Sequence, residues 1–191
     1  MAEVLLFHHV CGVTPGIVEF AESLRAAGHT VHVPDLFDGQ RFESIDEGVA
    51  FVESIGFDAI VQRGLDAAAS LSTRLVYAGV SLGVVPAQHL AQTRDGAVGA
   101  VLIASCVPHE TFSPAWPAGV PVQVHGMDAD PFFSGEGDID AARALVASTT
   151  DASLFVYEGD QHLFVDSSLP DFVPDAAALV TDRTLALLAA R

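Results

Sequence analysis

The chain has 191 residues, half of them apolar, with eight Lys and Arg against 25 Asp and Glu and a formal net charge of −17. At about 150 residues per domain this is a single domain, 1–191, with enough apolar residue to bury a core. So acidic a balance excludes nucleic acid as a partner, because polyanion recognition needs a basic footprint. The two cysteines, Cys11 and Cys106, do not amount to a disulfide framework. The opening MAEVLLFHHV has no basic leader, and no window reaches the ~18 apolar residues of a membrane span. The expectation is a cytoplasmic protein with no membrane partner.

Apolar runs alternate with helical patterns along the whole chain. Val4 to Phe7 reads as a short strand. Thr14 then offers a helix N-cap with Pro15 at the first helical position, and Ile17, Phe20, Ala21 and Leu24 repeat at helical spacing. Gly28 ends that helix, and Thr30 to Val33 is the next strand. Ser44 and Glu47 have capping-box spacing ahead of a helix that Gly56 closes. Asp58 is placed to cap a further helix reaching about Leu71.

The strand Leu75 to Ala78 precedes a helix beginning near Leu82, with Pro86 expected to distort its first turns. Ala97 to Ala104 is a small-and-branched run typical of a strand buried on both faces. Pro121 to His125 is a strand, Ile139 to Val146 a helix and Leu154 to Tyr157 a last strand. A closing helix from about Pro174 to Ala190 carries Ala177, Val180, Thr184 and Leu187 on one stripe. This alternation predicts an α/β fold, a mostly parallel sheet with helices on both faces. Ligands of such sheets sit at the carboxyl ends of the strands. The stretch from Pro108 to Pro121 is too short for a cap domain and reads as an ordered loop.

Gly79-Val80-Ser81-Leu82-Gly83 is a complete G-x-S-x-G between a predicted strand and a predicted helix. A sharp turn there strains the serine backbone, lifts its hydroxyl above the sheet and sets it over a helix N-terminus. A serine hydroxyl is a weak nucleophile without a base, and in this arrangement the order is nucleophile, acid, histidine. Of the downstream histidines, His89 lies on the following helix and His125 within a strand, both structural positions. His109 lies in the Pro-rich loop. His162, in Glu158-Gly159-Asp160-Gln161-His162, occupies a polar loop after the last strand and is the expected base. The acid should follow the strand ending at His125, where Asp128 and Asp130 both qualify. Asp130 is preferred because Pro131 stiffens the turn that aims it. An oxyanion hole needs two backbone N–H donors, expected from Leu82 and from Val10 in the loop after the first strand. His9, Cys11, Trp116, Phe132, Phe133 and Phe164 are expected to line the substrate site, with His8 packed. The histidines and acids show no metal-ligand spacing, so no metal is expected.

The chain resembles the dienelactone hydrolases over nearly its whole length. The likeness rests on FHHVCGVTPGIVEFAESLRAAGHTVHVPDLFDGQ, GVSLG, VHGMDADPFF and EGDQHLF. It implies an α/β-hydrolase fold without a large cap, acting on small esters or lactones with no metal or organic cofactor. The founding members carry a cysteine in the nucleophile turn where this chain has Ser81, which points to the ordinary esterase mode. Their first-strand loop has a glutamate where this chain has His9. The arginine expected beyond His162 is absent, and Asp166 stands there instead as a residue that would repel an anion. A small-molecule binder on the same scaffold, or an acyltransferase with the same three residues, are the alternative readings. Monomer and homodimer are both open.

Overall fold

The computed structural model describes all of residues 1–191. Six strands form one sheet: β1 (Glu3–Phe7), β2 (Thr30–His32), β3 (Val76–Val80), β4 (Gly99–Ile103), β5 (Val122–Met127) and β6 (Ala152–Tyr157). All neighbours pair parallel, in the order β2-β1-β3-β4-β5-β6. β3 and β4 are buried at every residue, as strands covered on both faces must be.

Six α-helices cover the sheet: α1 (Pro15–Ala26), α2 (Ile45–Ile55), α3 (Phe57–Ala69), α4 (Val84–Thr93), α5 (Asp138–Ser148) and α6 (Pro174–Ala189). The chain leaves β1 towards β2 in one direction and all later crossovers run the other way. Right-handed crossovers then put α1 on one face and α2 to α5 on the opposite one. The observed packing agrees, since α1 contacts α6 while α2, α3 and α4 contact one another in sequence. The reversal of direction opens a crevice between the carboxyl ends of β1 and β3, where ligands of such sheets bind.

The local signals act largely as the sequence predicts. Thr14 accepts a hydrogen bond from the Ile17 N–H with Pro15 opening α1, and Ser44 accepts from the Glu47 N–H at the start of α2. Glu47 reaches back to the Glu43 N–H at 3.1 Å, one residue beyond the expected box. Asp58 does not cap α3. Gly56, with φ of 91°, both ends α2 and starts α3, so Asp58 falls inside the first turn and acts only on the helix dipole. The closing stripe is Ala176, Val180, Thr184 and Leu187, with Ala177 half-buried beside it. The helix expected near Leu82 begins instead with a single 3₁₀ turn, Ser81–Gly83, before α4 takes over. Pro86 lies in the first turn of α4, where its missing N–H leaves no hydrogen bond unmade. Its ring packs against Gly64 of α3, where a Cβ would stand 2.6 Å from the proline Cβ.

Behind β5, the ring of Phe133 fills the space over Gly126, and a Cβ at that glycine would stand 2.2 Å from two ring carbons. Gly126→Ala should therefore lower stability by about 1–3 kcal/mol through overpacking, read as a lower urea midpoint at unchanged m-value.

Candidate active site

The turn after β3 is built by the absence of two side chains. A Cβ on Gly79 would lie 2.2 Å from the Gly83 carbonyl oxygen, and one on Gly83 would lie 2.4 Å from the Phe7 carbonyl oxygen. Between them Ser81 is held at φ of 50°, a left-handed conformation that few non-glycine residues adopt. The strain turns the hydroxyl out of the sheet edge.

Ser81 Oγ lies 2.8 Å from His162 Nε2, and His162 Nδ1 lies 2.7 Å from Asp130 Oδ2. The carboxylate accepts the Nδ1 proton, which leaves Nε2 as the acceptor for the serine O–H. Asp130 is fully buried, and its other oxygen accepts the Phe132 N–H at 2.9 Å. Asp128 points elsewhere and accepts the Gly159 N–H at 3.0 Å, tying the loop after β5 to the one after β6. The ring of Phe132 packs against His162 at 4.6 Å between centroids.

The two segments expected to supply the oxyanion donors are adjacent. Close approach of Gly83 to the Phe7 and His8 carbonyls brings the turn at Leu82 beside the loop that follows β1. In that loop the Val10 N–H has no acceptor within the protein.

The six residues expected around the substrate divide. Cys11 and Phe132 border a cleft of about 350 Å³ that adjoins His162 through the Phe132 ring and Leu163, and neither Ser81 nor His162 is among its lining residues. Its remaining walls are Leu163, Ile45, Leu169 and Pro170, with Ser44, Glu43, Asp46 and Asp171 supplying the polar groups. His9, Phe133 and Phe164 are fully buried and do not reach the cleft. The His9 ring turns inward to Asp166, Phe133 lies under Gly126, and Phe164 packs on Tyr157 at 5.5 Å. Trp116 lies at the other end of the sheet. Its indole N–H donates to the Val120 carbonyl just before β5, at the amino ends of the strands. Of the apolar cleft residues passed over in the sequence, Leu163 directly follows His162, Leu169 and Pro170 lie between it and α6, and Ile45 opens α2; closeness to His162 is the signal for Leu163 alone.

Asp166 is itself unexpected. It is fully buried. One carboxylate oxygen accepts from His9 Nε2 at 2.7 Å and from the Thr14 hydroxyl, and the other from the Ser168 N–H at 2.8 Å and hydroxyl at 2.6 Å. Burial would raise this carboxyl, but the hydrogen bonds from His9, Ser168 and Thr14 outweigh it and hold it down at about 2. It stays ionised at neutral pH, its charge helps to raise the Cys11 thiol at the cleft wall, and it joins the loop bearing His162 to the loop after β1.

The other chemically capable groups are packed. His125 is pushed down to about 3 by burial and by the charge of Arg183, and it bonds the Tyr157 hydroxyl at 2.9 Å. His89 stacks on Phe112 at 4.7 Å. Cys11 is pushed up to about 11 and Cys106 to about 12, in both cases first by burial and then by nearby carboxylates. No three His, Cys, Asp or Glu side chains form a group that could hold a metal ion. No helix is long and apolar enough to cross a membrane.

A carboxyl with a depressed folded-state value stabilises the fold above its unfolded value, and that stabilisation is lost as pH falls through the folded value. Asp166→Asn should thus be less stable than wild type at pH 7 by roughly 2 kcal/mol, at 1.4 kcal/mol for each unit of depression. The gap should narrow by about that amount as pH falls from about 4 to 2 in urea titrations of both proteins. A gap independent of pH would contradict this assignment.

Comparison with known proteins follows the same lines. The sequence profile described as the Dienelactone hydrolase family matches residues 1–191. None of the curated proteins compared with the chain matches it. A Klebsiella pneumoniae subsp. pneumoniae protein classed with the dienelactone hydrolases superposes with a TM-score of 0.74 at 20% identity, covering 100% of this chain and 88% of its own. The dienelactone hydrolase-like promiscuous phosphotriesterase P91, from metagenomic libraries, gives 0.71 at 18% identity, covering 100% and 86%. The dienelactone hydrolase of Anabaena variabilis gives 0.68 at 17%, covering 100% and 86%. With its six-stranded parallel sheet and a family match running from end to end, the chain belongs to the dienelactone hydrolase family of α/β hydrolases.

Proposed function

We propose that this hydrolase cleaves small carboxylic esters or lactones through an acyl-enzyme on Ser81. One observation carries the reading, the unbroken hydrogen-bond chain from Ser81 Oγ through His162 to Asp130, at 2.8 and 2.7 Å. In this mechanism His162 Nε2 takes the hydroxyl proton as Ser81 Oγ bonds to the carbonyl carbon, and the carbonyl electron pair moves onto oxygen. The N–H groups of Val10 and Leu82 receive that oxyanion. Collapse breaks the bond to the leaving alkoxide, which takes the proton back from His162. A water then repeats the sequence with the same base and frees the acid. Asp130 stays ionised and holds the imidazole in the tautomer that accepts at Nε2. No metal or organic cofactor enters these steps.

The charge of the cleft bears on the substrate. Glu43, Asp46 and Asp171 line it, and none of them has an ion-pair partner. Arg41, the basic residue nearest in sequence, borders a neighbouring hollow and not this one. Such a wall favours uncharged esters over carboxylate-bearing lactones. The inward turn of His9 also leaves the Val10 N–H unobstructed, which supports turnover over a purely binding role.

Ser81→Ala should lose labelling by a fluorophosphonate probe, and ester turnover should fall by at least about 10³-fold. A variant that kept wild-type turnover would reject the scheme. In a panel of esters, an uncharged member should exceed its matched half-ester, bearing a free carboxylate, by about tenfold in kcat/KM at low salt. That preference should shrink at about 0.5 M salt, where the field of the cleft is screened.

A further inference from the structure

The loop after β1 holds two adjacent histidines that the proposed chemistry does not use. Both rings are fully buried, and both nitrogens of each are hydrogen-bonded. The Leu36 N–H donates to His8 Nε2 at 3.0 Å, so the ring proton of His8 sits on Nδ1. That Nδ1–H donates to the His9 carbonyl at 2.7 Å. Burial pushes His8 down to about 4, and the neutral ring with this single tautomer persists through neutral pH. The Gly12 N–H donates to the same carbonyl at 3.1 Å. Two donors therefore grip one carbonyl oxygen.

The gripped carbonyl shares its peptide unit with the nitrogen of Val10. In a planar trans peptide the C=O and N–H bonds point in opposite directions. Holding the His9 oxygen turned towards His8 and Gly12 forces the Val10 N–H to point the other way, and this N–H has no acceptor in the protein. A second brace steadies the same unit. His9 Nδ1 accepts the Cys11 N–H at 3.2 Å, and His9 Nε2–H donates to Asp166 at 2.7 Å. From the other side α2 closes on the loop so tightly that a Cβ at Gly48 would stand 2.1 Å from the Val10 carbonyl oxygen.

Resting on the hydrolase reading above, we propose that His8 is a positioning residue that aims the Val10 N–H at the ester carbonyl oxygen through the His9–Val10 peptide. It touches no substrate and transfers no proton. Its effect is confined to the stability of the developing oxyanion, so it belongs to kcat and not to ground-state binding.

Two substitutions separate this role from packing. The amide nitrogen of asparagine can occupy the place of imidazole Nδ1, and the end of glutamine the place of Nε2. His8→Asn keeps a donor to the His9 carbonyl and loses the partner of Leu36, whereas His8→Gln does the reverse. Deleting one oxyanion donor costs about 10²–10³-fold in kcat, and misaiming one should cost part of that. The expected result is a fall of about 30- to 100-fold in kcat for His8→Gln with KM within about twofold, against no more than about fivefold for His8→Asn. An ester and its thionoester, whose sulfur is a poor acceptor, sharpen the test. The oxygen-to-sulfur rate ratio should drop about tenfold in His8→Gln and hold in His8→Asn. Thermal melts establish that both variants are folded. Where no ester of the panel turns over, the rate of fluorophosphonate labelling carries the same comparison.

Equal losses in the two variants, or a wild-type oxygen-to-sulfur ratio in His8→Gln, would overturn the aiming role while leaving the hydrolase intact. A wild-type protein that neither turns over an ester nor takes the fluorophosphonate overturns the hydrolase reading, and this inference with it.

Discussion

Two missing side chains at the end of β3 govern the geometry of the site. Gly79 and Gly83 meet backbone to backbone, and Gly83 in turn meets the carbonyls at the end of β1, all at separations that no Cβ could share. This contact compresses the exit of β3 into a 3₁₀ turn and holds Ser81 in a left-handed conformation. It also draws the start of the loop after β1 against the turn that carries Ser81. A strained residue persists only where its surroundings over-determine it. Here they do so from both flanking strands, each buried along almost its whole length.

The parallel sheet alone would not keep the loops after β1, β5 and β6 in register, because each leaves a different strand. Two buried carboxylates do that work. Asp130 fixes the His162 ring relative to the loop after β5, and Asp166 fixes the His162 loop relative to the loop after β1. Both acids are fully buried and both bind a histidine nitrogen at 2.7 Å, yet only one of the histidines faces the serine. The second pair is a mechanical copy of the first. Its hydrogen bond with Thr14, the N-cap of α1, and the bond from the Gly16 N–H to the Ser168 hydroxyl it holds extend the anchorage into the helical layer.

How much of this the sequence disclosed depends on which physical signal carried each residue. Strands, helices and their order follow from periodicity and caps, and Thr14, Ser44 and Gly56 mark helix ends where they should. The hydrogen-bonded set of Ser81, Asp130 and His162 is legible because each follows the carboxyl end of a particular strand. The lining of the site was less legible, since loop residues have no periodicity to say which way a side chain turns. His9 looked like a pocket residue because it follows a strand at the catalytic edge, but the only buried carboxylate that could satisfy it lay 157 positions away. Phe133 and Phe164 were drawn into the core by the space over Gly126 and beside Tyr157, contacts that join separate elements. Trp116 was misplaced because a loop connecting parallel strands must travel the full height of the sheet, and nothing local states where along that path the indole stops. Asp58 failed as a cap because Gly56 already served both helices.

Both thiols of the chain are buried and unreactive. Cys11 borders the cleft and Cys106 lies near Asp138, and both hold their protons far above neutral pH. The reactive form of a cysteine is the thiolate, and oxidation by peroxide or alkylation by electrophiles proceeds through it. Neither thiol supplies that form in quantity under ordinary conditions. With both sulfurs buried and kept protonated, the thiols of this chain are poor targets for oxidants at neutral pH.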